Sequence, residues 1–95
     1  MDANQQVLSR MEARGIQWDW CCTAVQQPVF GYSEKQPSGC VRFWAQVPGV
    51  NRYVRVVLKP DGEFLTAHFD RRFRKRVTKR DPLIVGISAT SHDAT

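Results

Sequence analysis

The chain has 95 residues, 42% of them hydrophobic and 24% charged, and a formal net charge of +5. That length admits one domain with a small core, and the hydrophobic fraction argues against wholesale disorder. The longest apolar run near the C-terminus, Leu83-Ile84-Val85-Gly86-Ile87, is too short to cross a bilayer, and the polar start Met1-Asp2-Ala3-Asn4 lacks the basic and apolar regions of a secretory signal. The expectation is a cytoplasmic protein with no membrane contact.

In chain order, residues 2–14 read as a helix with Val7, Leu8 and Met11 on one face, and Gly15 stands where a left-handed residue would end it. Residues 18–27 read as a second helix closed by Pro28, with Trp18, a cysteine and Val25 at helical spacing. Trp18 and Trp20 suit packing better than base stacking. Past Pro28 the period changes to two. Residues 29–32 suggest a short strand, and in residues 40–47 Val41, Phe43 and Ala45 alternate with Arg42, Trp44 and Gln46. A turn at 48–51 leads to a strand over 52–59, and Pro60-Asp61-Gly62 turns it back into a partner strand over 63–69. The fold expected is α+β: two N-terminal helices packed on one face of an antiparallel meander of three to four strands, in two layers. Residues 1–70 form this domain. Residues 71–95 form a basic strip and an extension, in which 83–87 would add a short edge strand and 88–95 a disordered end.

The register of the last hairpin admits two answers. A three-residue loop pairs Lys59 with Glu63 and sets His68 opposite Val54, toward the helices. One more residue in the loop sets His68 opposite Arg55, on the open face, and puts Leu65, Ala67 and Phe69 with the apolar side. Turn statistics favour the first and burial the second. Burial of a whole apolar face outweighs one opposed pair worth under about 1 kcal/mol, so the second register is expected.

Three cysteines, two of them adjacent as Cys21 and Cys22, make neither a disulfide framework nor a zinc spacing. One of the pair is expected as a small buried hydrophobe, and no metal or other cofactor is expected. The charge is more telling. The stretch Arg71-Arg72-Phe73-Arg74-Lys75-Arg76-Val77-Thr78-Lys79-Arg80 holds seven of the fourteen basic residues and no acid, whereas the rest carries seven basic and nine acidic residues. Such a strip attracts a polyanion, nucleic acid first, with a solvated tail, a membrane surface or an acidic protein partner as the other readings.

Specific words then matter. Arg10-Met11-Glu12-Ala13-Arg14-Gly15-Ile16 resembles the opening helix of a family of small bacterial domains of unknown function. That family is similar to the barnase–EndoU–colicin–RelE ribonuclease superfamily. Val41-Arg42-Phe43, Tyr53-Val54-Arg55-Val56-Val57-Leu58, Asp61-Gly62 and Leu65-Thr66-Ala67-His68 follow in the family's order, so the resemblance covers about residues 5–70. It implies a metal-independent toxin ribonuclease and an acidic antitoxin or immunity protein as partner. Family members carry a histidine at the position held here by Gln6. Either His68 takes over proton transfer, or the chain is a non-catalytic member.

Metal-independent RNA cleavage needs a base for the 2′-hydroxyl, an acid for the leaving 5′-oxygen, and a fixed cation for the charge on phosphorus. His68 fits either proton role. Thr66, two residues away on the same sheet face, can bind a phosphate oxygen, and Arg55 and Arg42 can hold the charge. Arg52, Arg71, Arg72, Arg74, Lys75, Arg76, Lys79 and Arg80 are the expected RNA-binding residues, and Trp44 or Tyr53 a platform for a base. The readings in order are an endoribonuclease acting through a 2′,3′-cyclic phosphate, a non-catalytic nucleic-acid-binding module, and a basic protein-interaction domain.

Overall fold

A computed structural model describes residues 3–85, which form three helices and one four-stranded antiparallel sheet. The first helix, α1 (Gln5–Ala13), starts where the Asn4 side chain accepts the Val7 amide at 2.9 Å. It ends where Gly15, at φ +73°, lets the Gly15 amide reach the Glu12 carbonyl and the Ile16 amide reach that of Met11. This paired closure brings Ile16 and Met11 together, and both are buried. The second helix, α2 (Trp18–Gln26), buries Cys21 and Ala24 against the sheet, sets Trp18 edge-on to Phe64 and tilts Trp20 against Phe69. Both tryptophans are therefore packing residues.

Of the adjacent cysteines, Cys21 is the buried one, and burial pushes its thiol up to about 12. Iodoacetamide at mildly alkaline pH is accordingly expected to label the folded protein at Cys22 and Cys40 only. A peptide map with alkylated Cys21 from native protein would contradict this packing.

The short strand expected at 29–32 is not there. Val29–Gly31 is a single 3₁₀ turn, and Phe30 and Gly31 both hold positive φ, which no strand accommodates. The edge strand follows it: β1 (Ser33–Lys35) pairs with β2 (Val41–Gln46), and the sheet continues through β3 (Tyr53–Leu58) to β4 (Phe64–Phe69) in sequence order. Ala45, Val54, Val56, Leu58 and Ala67 face α1 and α2 and form the larger core with Met11 and Cys21.

The β3–β4 register meets both demands at once. The Lys59 amide bonds the Glu63 carbonyl at 2.7 Å and Leu58 pairs with Phe64, as a three-residue loop requires. A bulge then passes over Leu65, so Val57 pairs with Thr66 and Arg55 with His68. His68 reaches the open face as burial demanded, but Leu65 does not join the apolar side. It is the extra residue, 42% exposed, and Phe64 packs in its stead.

The larger departure lies after residue 70. The basic strip is neither tail nor extension: Arg71–Thr78 is a helix, α3, capped by Asp70, whose carboxylate accepts the Phe73 amide at 3.0 Å. It packs on the sheet face opposite α1 and α2, making a third layer. There Phe73 stacks on Trp44 with centroids 4.6 Å apart and rings 9° from parallel, and meets Tyr53 edge-on at 5.1 Å. Ile84 completes this second core. The edge strand expected at 83–87 is absent over its described part: residues 82–85 are turns, with the Ile84 and Val85 amides bonded to the Asp81 carbonyl. Residues 86–95, including the end expected to be disordered, lie outside the described residues.

Candidate nucleic-acid interface

Alternation along β2, β3 and β4 puts Trp44, Arg55 and His68 in one row across the sheet, and Arg42, Val57 and Thr66 in the next. Trp44 and Tyr53 share this face, yet they are 2% and 4% exposed beneath Phe73. Neither can stack a base, which corrects that expectation. The hydrophobic side chains of α3 have taken the place a base would occupy.

His68 and Thr66 do come together. The Thr66 hydroxyl and His68 Nε2 are 3.0 Å apart, and the same hydroxyl accepts from Arg14 Nη1 at 3.3 Å. Arg14 reaches round the edge of β4 from the end of α1 and also donates to the Ala67 carbonyl at 3.1 Å. Donation by Nε2–H to the Thr66 hydroxyl would leave the Nδ1 lone pair free to accept a proton. Arg55, directly across from His68, supplies a second cation. Its Nη1 lies 3.7 Å from the Asp70 carboxylate, while its buried Nε has no hydrogen-bond partner among the described residues. Burial and then the charges of Arg14 and Arg55 hold the His68 imidazole below its ordinary value near 6.5. The ring is therefore neutral at pH 7, a proton acceptor between two cations.

Arg42 does not join them. It sits one strand beyond Val57, about 10 Å in backbone spacing from Thr66, and pairs with Glu34 at 3.7 Å. Arg14, absent from the expected set, takes its place. Its position at the end of α1 was legible, but its reach round the sheet edge was not.

The strip on α3 divides by helical phase. Phe73 and Val77 face the sheet, whereas Arg71, Arg72, Lys75 and Lys79 are exposed, with Arg80 beyond them. Arg76 is drawn inward and engaged within the chain. It bonds Asp81 at 2.8 Å and Glu34 at 3.1 Å and lies over the Tyr32 ring, tying the end of α3 to β1. That engagement raises the Arg76 guanidinium further and lowers the Asp81 carboxyl through their shared hydrogen bond.

Asp70 joins the two regions. One carboxylate oxygen caps α3, and the other accepts the Trp44 indole at 2.9 Å and faces Arg55. Beside it, Arg52 lies over the Phe69 ring at 3.7 Å and, with Arg71, Arg72 and Arg74, lines a concavity of about 530 Å³. Among the described residues no group of His, Cys, Asp and Glu is arranged to hold a metal ion, and no helix is long and apolar enough to cross a membrane.

Comparison with protein families, with curated proteins and with solved structures finds no match to this chain.

Proposed function

We propose that this chain is an RNA-binding domain that meets the phosphate backbone through α3 and the arginines beside it. The observation that carries this reading is the two-sided character of α3. Phe73 and Val77 anchor the helix in the second core, so Arg71, Arg72, Lys75 and Lys79 are held outward on a rigid element. A tail kept basic for solubility alone needs no such anchor. Cations carried on an anchored helix lose little backbone freedom when they neutralise phosphates, and that neutralisation supplies most of the affinity in sequence-independent binding. An acidic antitoxin or immunity protein would cover the same face.

The arrangement around His68 favours a second, catalytic reading: metal-independent endoribonuclease action through a 2′,3′-cyclic phosphate. A neutral imidazole takes the proton of a ribose 2′-hydroxyl as that oxygen bonds to phosphorus. The same imidazole then gives the proton to the 5′-oxygen as the P–O5′ bond breaks. Arg14 and Arg55 hold the charge on the pentavalent phosphorus, and Thr66 orients the ring. One residue serves as base and acid in turn, so a histidine at position 6 is not needed.

The test is incubation of the full chain with total bacterial RNA in excess EDTA, beside His68→Ala. Cleavage by the parent that the variant lacks supports catalysis, and its rate should fall as the pH drops through the depressed pKa of His68, which lies below the ordinary value near 6.5. Folding stability should decline over the same range. A folded-state pKa below that of the unfolded chain means that the unfolded state takes up the proton first. Intact RNA that is nevertheless bound leaves the binding domain and removes the nuclease.

A further inference from the structure

Among the described residues, the concavity between β3, the end of β4 and the start of α3 has more positive than negative charge in its wall. Four guanidinium groups line it, from Arg52, Arg71, Arg72 and Arg74. Asp70 is the one carboxylate in its wall, and both its oxygens are occupied on the inner side, by the Phe73 amide, the Trp44 indole and Arg55. Among the described residues, the ion pairs of this chain engage Arg42, Arg55 and Arg76 and none of these four. Like charges brought together without a counter-ion repel one another, and a bound anion relieves that repulsion.

The shape narrows the anion. A volume of about 530 Å³ falls within the range of small-molecule sites and exceeds what a bare phosphate needs. Arg52 already lies over Phe69, its guanidinium carbon 3.7 Å from the ring centre, and a guanidinium held on an aromatic ring offers its other side to a nucleobase. Three arginines of α3, Arg71, Arg72 and Arg74, line the same concavity.

We propose that this concavity is a site for a phosphomonoester dianion on a nucleotide, with the phosphate held by Arg71, Arg72 and Arg74 and the base on Arg52. A phosphomonoester carries about −1.5 to −2 charge at pH 7 and three acceptor oxygens, against −1 and two for an internal phosphodiester, so it answers three guanidinium groups more fully. The nucleotide is either free or the phosphorylated end of an RNA strand. The proposal rests on the reading of this face as one that meets RNA, and it adds an end-recognising subsite to that reading.

Fluorescence anisotropy on the full chain tests it with RNA strands of one sequence ending in a 5′-hydroxyl, a 5′-phosphate or a 3′-phosphate. A hydroxyl-ended strand two nucleotides longer, whose two added phosphodiesters match the charge of one phosphomonoester dianion, controls for total charge. Calorimetry with adenosine monophosphate and with inorganic phosphate separates a free nucleotide from a strand end. One phosphorylated end should bind about tenfold tighter than the charge-matched control, the worth of one added charge-assisted hydrogen-bond pair. Arg72→Ala should erase that gain, and Arg52→Ala should reduce the monophosphate to the affinity of inorganic phosphate. Both residues are exposed, so both variants should fold. Binding of the monophosphate alone, with no gain for either strand end, would assign the site to free nucleotides. Equal affinity for all strands together with no monophosphate binding overturns the proposal. Steeply salt-dependent binding of the hydroxyl-ended strand in that case would leave the RNA-binding reading standing.

Discussion

Phe73→Ala is expected to destabilise the protein by about 3–5 kcal/mol, the usual cost of emptying a fully buried aromatic site. Phe73 is 1% exposed and touches Trp44 face to face and Tyr53 edge-on, so truncation leaves two large rings without their common partner. Domains of this size are stable by about 5–15 kcal/mol in all, so the loss is a large share of the total. The melting temperature should drop by roughly 15 °C or more, at about 4–8 °C per kcal/mol. The consequence reaches function, because Phe73 is the main anchor of α3. With it gone, the exposed cations lose their fixed spacing and RNA affinity should fall alongside stability. Thermal denaturation and anisotropy on one preparation decide the matter. A cost below about 1 kcal/mol would mean that α3 does not dock on the sheet as described.

The charge of that helix hides it in the sequence. Seven cations in ten residues outweigh two apolar side chains in any average, yet the relevant signs were present. Asp70 stands three residues before Phe73, as a capping residue does, and Phe73 and Val77 are four apart. What no local pattern supplies is the partner. Trp44 was rightly placed on the face opposite Ala45, but the ring that covers it lies 29 positions further along the chain. The same holds at the candidate site. Alternation put Thr66, His68 and Arg55 on one face, because a two-residue period leaves little choice once Val54, Val56 and Ala67 are buried. It also put Arg42 there, and period alone cannot say that Glu34 holds Arg42 two strands from Thr66 or that Arg14 arrives over the edge. The hairpin shows the intermediate case. Turn chemistry and burial demanded different registers, and the chain satisfies both by leaving Leu65 outside the ladder.

Replacing Arg71, Arg72, Lys75 and Lys79 together by glutamine is expected to act in the opposite sense to Phe73→Ala, removing binding while sparing the fold. All four side chains are exposed, so no buried group is orphaned. Arg71 and Arg72 stand in the first turn of α3, where the helix dipole disfavours cations by about 0.3–1 kcal/mol each, whereas Lys75 and Lys79 stand near its favoured end. These contributions roughly cancel, and the melting temperature should move by only a few degrees. Binding should collapse. Each phosphate neutralised on a single strand adds roughly 0.7 to the slope of log affinity against log salt, so the variant's slope should be shallower by about 3. Over a rise from about 50 to 200 mM salt those four contacts account for roughly a fiftyfold change in affinity, which the variant should no longer show. A variant that keeps the parent's slope would place the RNA elsewhere on the molecule. A variant that keeps its affinity but loses cleavage would instead make α3 a guide that presents the strand to His68, with the binding energy drawn from Arg14, Arg52 and Arg55.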